Sequence, residues 1–293
     1  MNYAAIDIGS NAGRLLIGYV IPQGDHYSIK KASLTRVPLR LGDDVFSKGK
    51  IGKKKEEMLL DSFKAFSHLM KVYEVRHVKA FATSAMREAE NSLEIIEKII
   101  KETGISLELI DGQKEADLIF STFHTQKLEH DKSYLFIDVG GGSTELTIIK
   151  NGKRVVSKSF KVGTIRFMKG SVKDSVWDKI KKWLSDNMNG ESYAAIGTGG
   201  NATRIIKISG NKYLEPLKIA EFNRIKRYVE SFTYEERIEQ LRMKPDRADV
   251  IVPASNIYLK IMDLAKITEI YVPKMGLADG MILSMYLEEK DKK

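Results

Sequence analysis

The sequence predicts a two-domain α/β protein in which both domains follow one plan. Three observations carry this. A chain of 293 residues, 43% hydrophobic and 30% charged, is globular in composition and long enough for two ordinary domains. Strand-type apolar runs alternate with helix-period stretches in both halves. Most telling, setting Asp7 on Asp138 aligns IDIGSNAGRLLI with IDVGGGSTELTI. In each copy a hydrophobic strand delivers an Asp, a glycine-bearing turn follows, and Leu and Ile recur in step: Leu15 and Ile17, Leu146 and Ile148. Chance matching of short hydrophobic strands is the plain alternative.

In the first half, residues 3–8 (YAAIDI) and 14–21 (RLLIGYVI) read as strands around a turn at 9–13, with 26–37 as a third. Met58, Leu59, Phe63, Phe66, Leu69 and Met70 give 56–72 the spacing of an amphipathic helix. A strand at 76–82, a helix at 88–102 capped by Gly104, a strand at 105–110 and a helix at 113–125 follow. The second half begins again with strands at 134–139 and 144–150. Asn151-Gly152 then signals a hairpin into 153–160. A helix at 174–187, a strand at 192–196, helices at 202–209, 218–231, 234–242 and 246–266, a strand at 269–272 and a helix at 279–290 complete the chain.

Composition narrows the chemistry. With no Cys, disulfides, thiolate catalysis, Cys-ligated zinc and iron–sulfur clusters are excluded. The five His show no HxxxH or HExxH spacing, which disfavours a His-based metal site. The opening MNYAAIDIG lacks a basic segment followed by a long apolar stretch, so no signal peptide is expected. Apolar runs such as Tyr134 to Val139 are too short to span a bilayer. A cytoplasmic protein without a membrane partner is the expectation. Lys and Arg number 48 against 39 Asp and Glu, a net charge of +9, which favours anionic partners.

Gly140-Gly141-Gly142-Ser143 directly follows a buried-type strand. Consecutive glycines let a backbone approach phosphate closely and turn several N–H groups onto one anion, with the Ser143 hydroxyl as a further donor. A tight turn needing positive φ is the simpler reading. No GxxxxGK[ST] occurs, and the following strand differs from the helix that a GxGxxG fingerprint opens. Gly197-Thr198-Gly199-Gly200-Asn201 is a second glycine loop, here before a helix whose N-terminus would add positive potential. An ordinary strand-to-helix turn with Asn201 as N-cap competes with it. Asp138 and Glu145 flank the first glycine turn and supply the oxygen ligands Mg²⁺ prefers; hydrogen bonding to the turn's own amides is the alternative. Asp7 offers the same choice in the first half.

Arg87, in ATSAMREAEN, comes just after a strand and can grip phosphate oxygens with its planar fork. Arg40, in LRLGDD, is of the same type, and a surface role competes for both. Glu115, in DGQKEADLIF, opens a helix from which a carboxylate can orient and deprotonate water; compensation of the helix dipole explains it equally. Lys48, Lys50, Lys53, Lys54 and Lys55 form a basic loop, either solvated or a track for a long polyanion. Aromatic interleaving is poor there, so nucleic acid is disfavoured as a partner.

Together these segments resemble the exopolyphosphatase / guanosine pentaphosphate phosphohydrolase (Ppx/GppA) family of the actin-like ATPase superfamily. The resemblance runs through AIDIGSNAGRLLI, VPLRLGDDVF, ATSAMREAEN, IDGQKEADLIF, FIDVGGGSTELTII, KVGTIRF, AIGTGGNATRI, RADVIVPA and GLADGMIL. It implies two RNase H-like domains with an interdomain cleft, residues 1–122 plus 275–293 and residues 123–274, the last helix returning to the first. It implies Mg²⁺-dependent hydrolysis of a terminal phosphoanhydride by water. Glu115 falls on the family's catalytic glutamate, Asp138 and Glu145 on its metal- and water-linked carboxylates. Ser10, Asn11, Arg87, Gly140 to Ser143, Gly199 and Gly200 fall on its phosphate-binding elements. A homodimer is also implied.

Three departures stand out. Lys114-Glu115 replaces two adjacent glutamates, Ala12 replaces a common Ser or Thr, and the 293 residues stop short of the C-terminal helical region of larger members. The expected protein is a short form, and the glycine turns, Arg87 and the net charge of +9 favour inorganic polyphosphate as its substrate. Guanosine pentaphosphate is the alternative substrate, a non-catalytic ATP-binding actin-like scaffold the alternative class, and a sugar or acetate kinase a third reading.

Overall fold

The computed structural model describes residues 1–24, 26–126, 128–129, 131–188 and 190–292, the side chain of His124 excepted. Two compact units divide the chain: Met1–Gln126 with Met275–Lys293, and Lys127–Lys274.

The first unit holds strands β1 (Tyr3–Ile8), β2 (Gly13–Gln23) and β3 (His26–Val37), then helices α1 (Leu41–Lys48) and α2 (Lys53–Val72). Strand β4 (His77–Ala82), helices α3 (Ser84–Glu88) and α4 (Ser92–Thr103), strand β5 (Leu107–Leu109) and helix α5 (Gly112–Ser121) follow. The sheet runs β3-β2-β1-β4-β5. Strand β1 pairs antiparallel with β2 and parallel with β4. All six β1 residues are buried, because both faces of the strand are covered, so YAAIDI reads as a continuous apolar run broken only by Asp7. Side chains alternate across a strand. Ala4, Ile6 and Ile8 therefore join Leu59, Phe63 and Phe66 of α2 in one core. Burying each Phe stabilises the unit by roughly 1.5–3 kcal/mol. The last helix of the chain, Leu277–Lys290, returns to this unit and packs on β1, β2 and α5.

The second unit begins with β6 (Ser133–Val139), β7 (Thr144–Lys150) and β8 (Lys153–Phe160). Helices α6 (Thr164–Met168) and α7 (Ser175–Asn187), strand β9 (Tyr193–Thr198) and helix α8 (Gly199–Ser209) come next. Then come β10 (Leu217–Lys218), α9 (Ile219–Glu230), α10 (Tyr234–Glu239), α11 (Pro245–Ala248), α12 (Ile251–Leu264) and β11 (Glu269–Tyr271), with α13 naming the returning helix Leu277–Lys290. The sheet runs β10-β11-β9-β6-β7-β8. From β8 inward it repeats the order and directions of the first sheet, and β10 adds an antiparallel edge. The repeat seen in sequence is thus a repeat of topology, and both units carry the RNase H-like order. Leu135, Ile137, Leu146 and Ile148 face a core completed by Ile205 of α8, Phe222 of α9 and Tyr258 of α12. Among the described residues, no helix is long and apolar enough to cross a membrane.

Four expectations about local structure are corrected. The basic loop is shorter than its lysines suggest: Lys48 closes α1, Lys53 to Lys55 open α2, and Lys55 turns inward to pair with Asp44 at 3.2 Å. The helix expected over 88–102 is two helices. They are interrupted where the Asn91 side chain bonds both the N–H and the C=O of Ile51, at 3.0 and 2.9 Å. The run 246–266 likewise splits, since Pro253 has no N–H for the carbonyl four residues back. Helix α8 starts at Gly199 with Thr198 as N-cap, so Asn201 lies in its first turn instead of capping it.

Candidate active site

In the first unit, the segments carrying the expected residues follow the carboxyl ends of parallel strands β1, β4 and β5, where open α/β sheets bind ligands. The β1–β2 turn closes by a bond from the Gly9 N–H to the Ala12 carbonyl, 3.0 Å. The Ser10 carbonyl accepts from Gly42 N–H at 2.9 Å and that of Asn11 from Arg40 N–H at 2.8 Å, which moors the turn to α1. The Ser10 hydroxyl is buried with no hydrogen-bond partner among the described residues, a donor open to an anion. Arg40 adopts a left-handed backbone (φ 50°) at the N-cap of α1. Its guanidinium grips Asp43 through Nε (2.6 Å) and Nη2 (3.2 Å). Lys55 donates to the Arg40 carbonyl, so the strained residue is held from two sides.

Asp7 faces Arg14 across β1 and β2, with Arg14 Nη1 donating to Oδ2 over 2.8 Å. Arg87 lies in the last turn of α3, half-buried, and Nη1 donates to the Ile110 carbonyl at 2.5 Å. It thereby braces the short segment entering α5. That helix is capped by Asp111, whose carboxylate accepts the Lys114 N–H at 2.8 Å. Glu115 follows in the first turn and is 9% exposed.

In the second unit, Asp138 and Glu145 are direct cross-strand partners on β6 and β7, with carboxylate oxygens within 4.8 Å of one another. Like charges directly opposite each other destabilise a sheet unless something offsets them. Hydroxyls hold each in place: Thr198 Oγ1 donates to Asp138 Oδ1 at 2.6 Å, and Ser159 Oγ to Glu145 Oε1 at 2.8 Å. Two all-oxygen ligands fixed on rigid strands suit a hard cation such as Mg²⁺.

Both glycine segments present amides at this edge. The Gly140 N–H bonds the Ser143 carbonyl at 3.0 Å, closing the turn. Among the described residues the N–H groups of Gly141, Gly142 and Ser143 have no acceptor. At α8, Thr198 spends its hydroxyl on Asp138 and makes no side-chain cap. The first N–H groups of the helix, on Gly199, Gly200 and Asn201, are therefore left for an anion. The Tyr258 hydroxyl donates to the Thr198 carbonyl at 2.6 Å from full burial. That burial, reinforced by the Asp138 charge, pushes the phenol well up.

Sequence reasoning missed Arg14, Gly163, Arg166 and Arg247, and took Thr198 only as a member of the second glycine loop. Arg166 Nε reaches the Gly142 carbonyl at 2.8 Å, and Arg247 Nη1 donates to the Gly200 carbonyl. KVGTIRF and RADVIVPA stand out as segments, yet nothing local ties these arginines to turns 24 and 47 positions away.

The fold and edge chemistry define a class: a protein of two RNase H-like units, each setting an amide-bearing turn and an acidic residue at the carboxyl edge of its sheet. The sequence profile of the Ppx/GppA phosphatase family matches residues 20–289, and the chain belongs to that family. Among solved structures, an exopolyphosphatase from Cytophaga hutchinsonii superposes with a TM-score of 0.83 and 25% identity, covering 97% of each chain. Exopolyphosphatase 1 of Mycobacterium tuberculosis is 24% identical over 99% of this chain and 90% of its own length. Guanosine-5'-triphosphate,3'-diphosphate pyrophosphatase of Aliivibrio fischeri is 22% identical over 97% of this chain and 59% of its own length.

Proposed function

We propose that the chain is an exopolyphosphatase, hydrolysing the terminal phosphoanhydride of inorganic polyphosphate to release orthophosphate. One observation carries this reading: Asp138 and Glu145 stand paired on adjacent strands beside two sets of amides that have no acceptor among the described residues. A polyanion terminus needs this combination, cation ligands for its charge and N–H donors for its oxygens. The two carboxylates would hold Mg²⁺, which when bound neutralises phosphoryl charge. In the second unit Gly141, Gly142, Ser143 and the start of α8 offer donors to phosphate oxygens, and in the first unit Ser10, Asn11, Arg87 and Arg40 do so. Glu115 takes a proton from the attacking water. The water oxygen forms the new bond to the terminal phosphorus and stays on the released orthophosphate, while the bond from that phosphorus to the bridging oxygen breaks and the shortened chain leaves with the bridging oxygen.

Net charge favours the long polyanion over a nucleotide. The excess is +9, and Lys48, Lys50, Lys53 and Lys54 are all exposed, which raises local polyphosphate concentration. The test is kcat/KM on long-chain polyphosphate and on guanosine pentaphosphate, side by side with Mg²⁺. Polyphosphate is expected to be preferred, and a large preference for the nucleotide would overturn the assignment.

A further inference from the structure

The glycine turn after β6 is held from behind by a segment that lies beyond β8. Every carbonyl of the three glycines is occupied. The Gly140 C=O accepts the Thr164 N–H at 3.0 Å. The Gly141 C=O accepts both the Ile165 and Arg166 N–H groups, at 2.8 and 3.1 Å. The Gly142 C=O accepts Arg166 Nε at 2.8 Å. Arg166 is 7% exposed, so its guanidinium is committed to the interior. Gly163 sits against the same backbone: a Cβ there would lie 2.5 Å from Gly141 C and Gly142 N. Thr144 Oγ1 bonds the Val162 carbonyl at 2.5 Å and fixes how the segment enters.

A peptide unit is planar and trans, so fixing a carbonyl fixes the opposite direction for the next N–H. Anchoring the carbonyls of Gly140, Gly141 and Gly142 therefore aims the N–H groups of Gly141, Gly142 and Ser143 away from α6. Among the described residues these are the three amides of the turn left without acceptors. Unclamped, three successive glycines would sample many conformations, and an anion would have to order them on binding.

We propose that Arg166 and Gly163 are positioning residues that pre-set the glycine turn, so that its three amides meet a phosphoryl group without reorganisation. This rests on the reading of that turn as a phosphate site. Neither residue touches substrate in this account; both act through the Gly140–Gly142 carbonyls.

The experiment is a titration of ¹⁵N-glycine-labelled protein with tripolyphosphate, followed at the Gly141 and Gly142 amides, alongside orthophosphate release from long-chain polyphosphate. Wild type is expected to show both amide resonances shifting on titration. Arg166→Ala and Gly163→Ala are expected to need roughly tenfold more tripolyphosphate for the same shift, the first by losing a charge-assisted anchor and the second because its Cβ displaces the Gly141–Gly142 backbone. Added guanidinium should restore Arg166→Ala in part, which a generally loosened fold would not do. Should Arg166→Ala fail to fold, Arg166→Lys and Gly163→Ala carry the same comparison. Wild-type amides that ignore tripolyphosphate, or variants that bind it as wild type does, would overturn the inference. Amide shifts without orthophosphate release would instead overturn the hydrolase reading and leave the clamp standing.

Discussion

Arg14 faces Asp7 across β1 and β2, its Nη1 2.8 Å from Oδ2, at the register position where Glu145 faces Asp138 in the second unit. The repeated plan therefore carries opposite electrostatics in its two copies. The first neutralises its aspartate with an in-built cation, and the second opposes two carboxylates whose repulsion a bound cation would relieve. Asp138→Asn should raise the Mg²⁺ concentration for half-maximal activity by about tenfold or more, and Asp7→Asn by less than about threefold. Magnesium titrations of the two variants check this, and equal shifts would make the units equivalent as cation sites.

Helix α13 crosses α5 at Gly280, where a Cβ would lie 1.8 Å from the Leu118 carbonyl oxygen and 2.5 Å from its carbon. The obstruction is backbone and cannot swing aside. Glycine to alanine within a helix ordinarily stabilises by about 1 kcal/mol, but here overpacking dominates. Gly280→Ala should lower stability by about 1–3 kcal/mol in urea unfolding. A gain would show that the two helices part without cost.

Asp279 is buried in the first turn of α13 with Lys31 2.8 Å away. Burial raises its carboxyl above the ordinary 3.8, and the Lys31 charge only partly opposes this. The native state thus binds this proton more tightly than the unfolded chain. The contribution of Asp279 to stability falls as pH rises from 3.8 through the folded value. Asp279→Asn lacks that titration, so wild type should lose ground to the variant across this range. Urea unfolding at a series of pH values measures it; wild type gaining ground instead would mean the ion pair outweighs burial.

What was legible in the sequence was what is encoded locally. Strands β1 and β6 show as apolar runs because both of their faces are covered, and Asn151-Gly152 marks its hairpin from two residues. Helix α1 was missed because it starts from Arg40 in a left-handed conformation that nothing nearby announces. Helix α6 spans one turn, too short for a period. The start of α8 was placed late because Gly199, Gly200 and Asn201 are poor helix formers. The glycine turns and acids advertise themselves by residue type. Arg14, Thr198, Gly163 and Arg166 do not, since their partners are set by strand register or lie many positions away.

The most direct measurement of the hydrolase account is orthophosphate release from long-chain polyphosphate, with Mg²⁺, in ¹⁸O-enriched water, for wild type and Glu115→Gln. Wild type should release orthophosphate carrying one solvent oxygen. Glu115→Gln should fold normally and act about 10²- to 10⁴-fold more slowly, the usual worth of a general base. Equal rates for the two proteins, or no solvent oxygen in the product, would contradict the account.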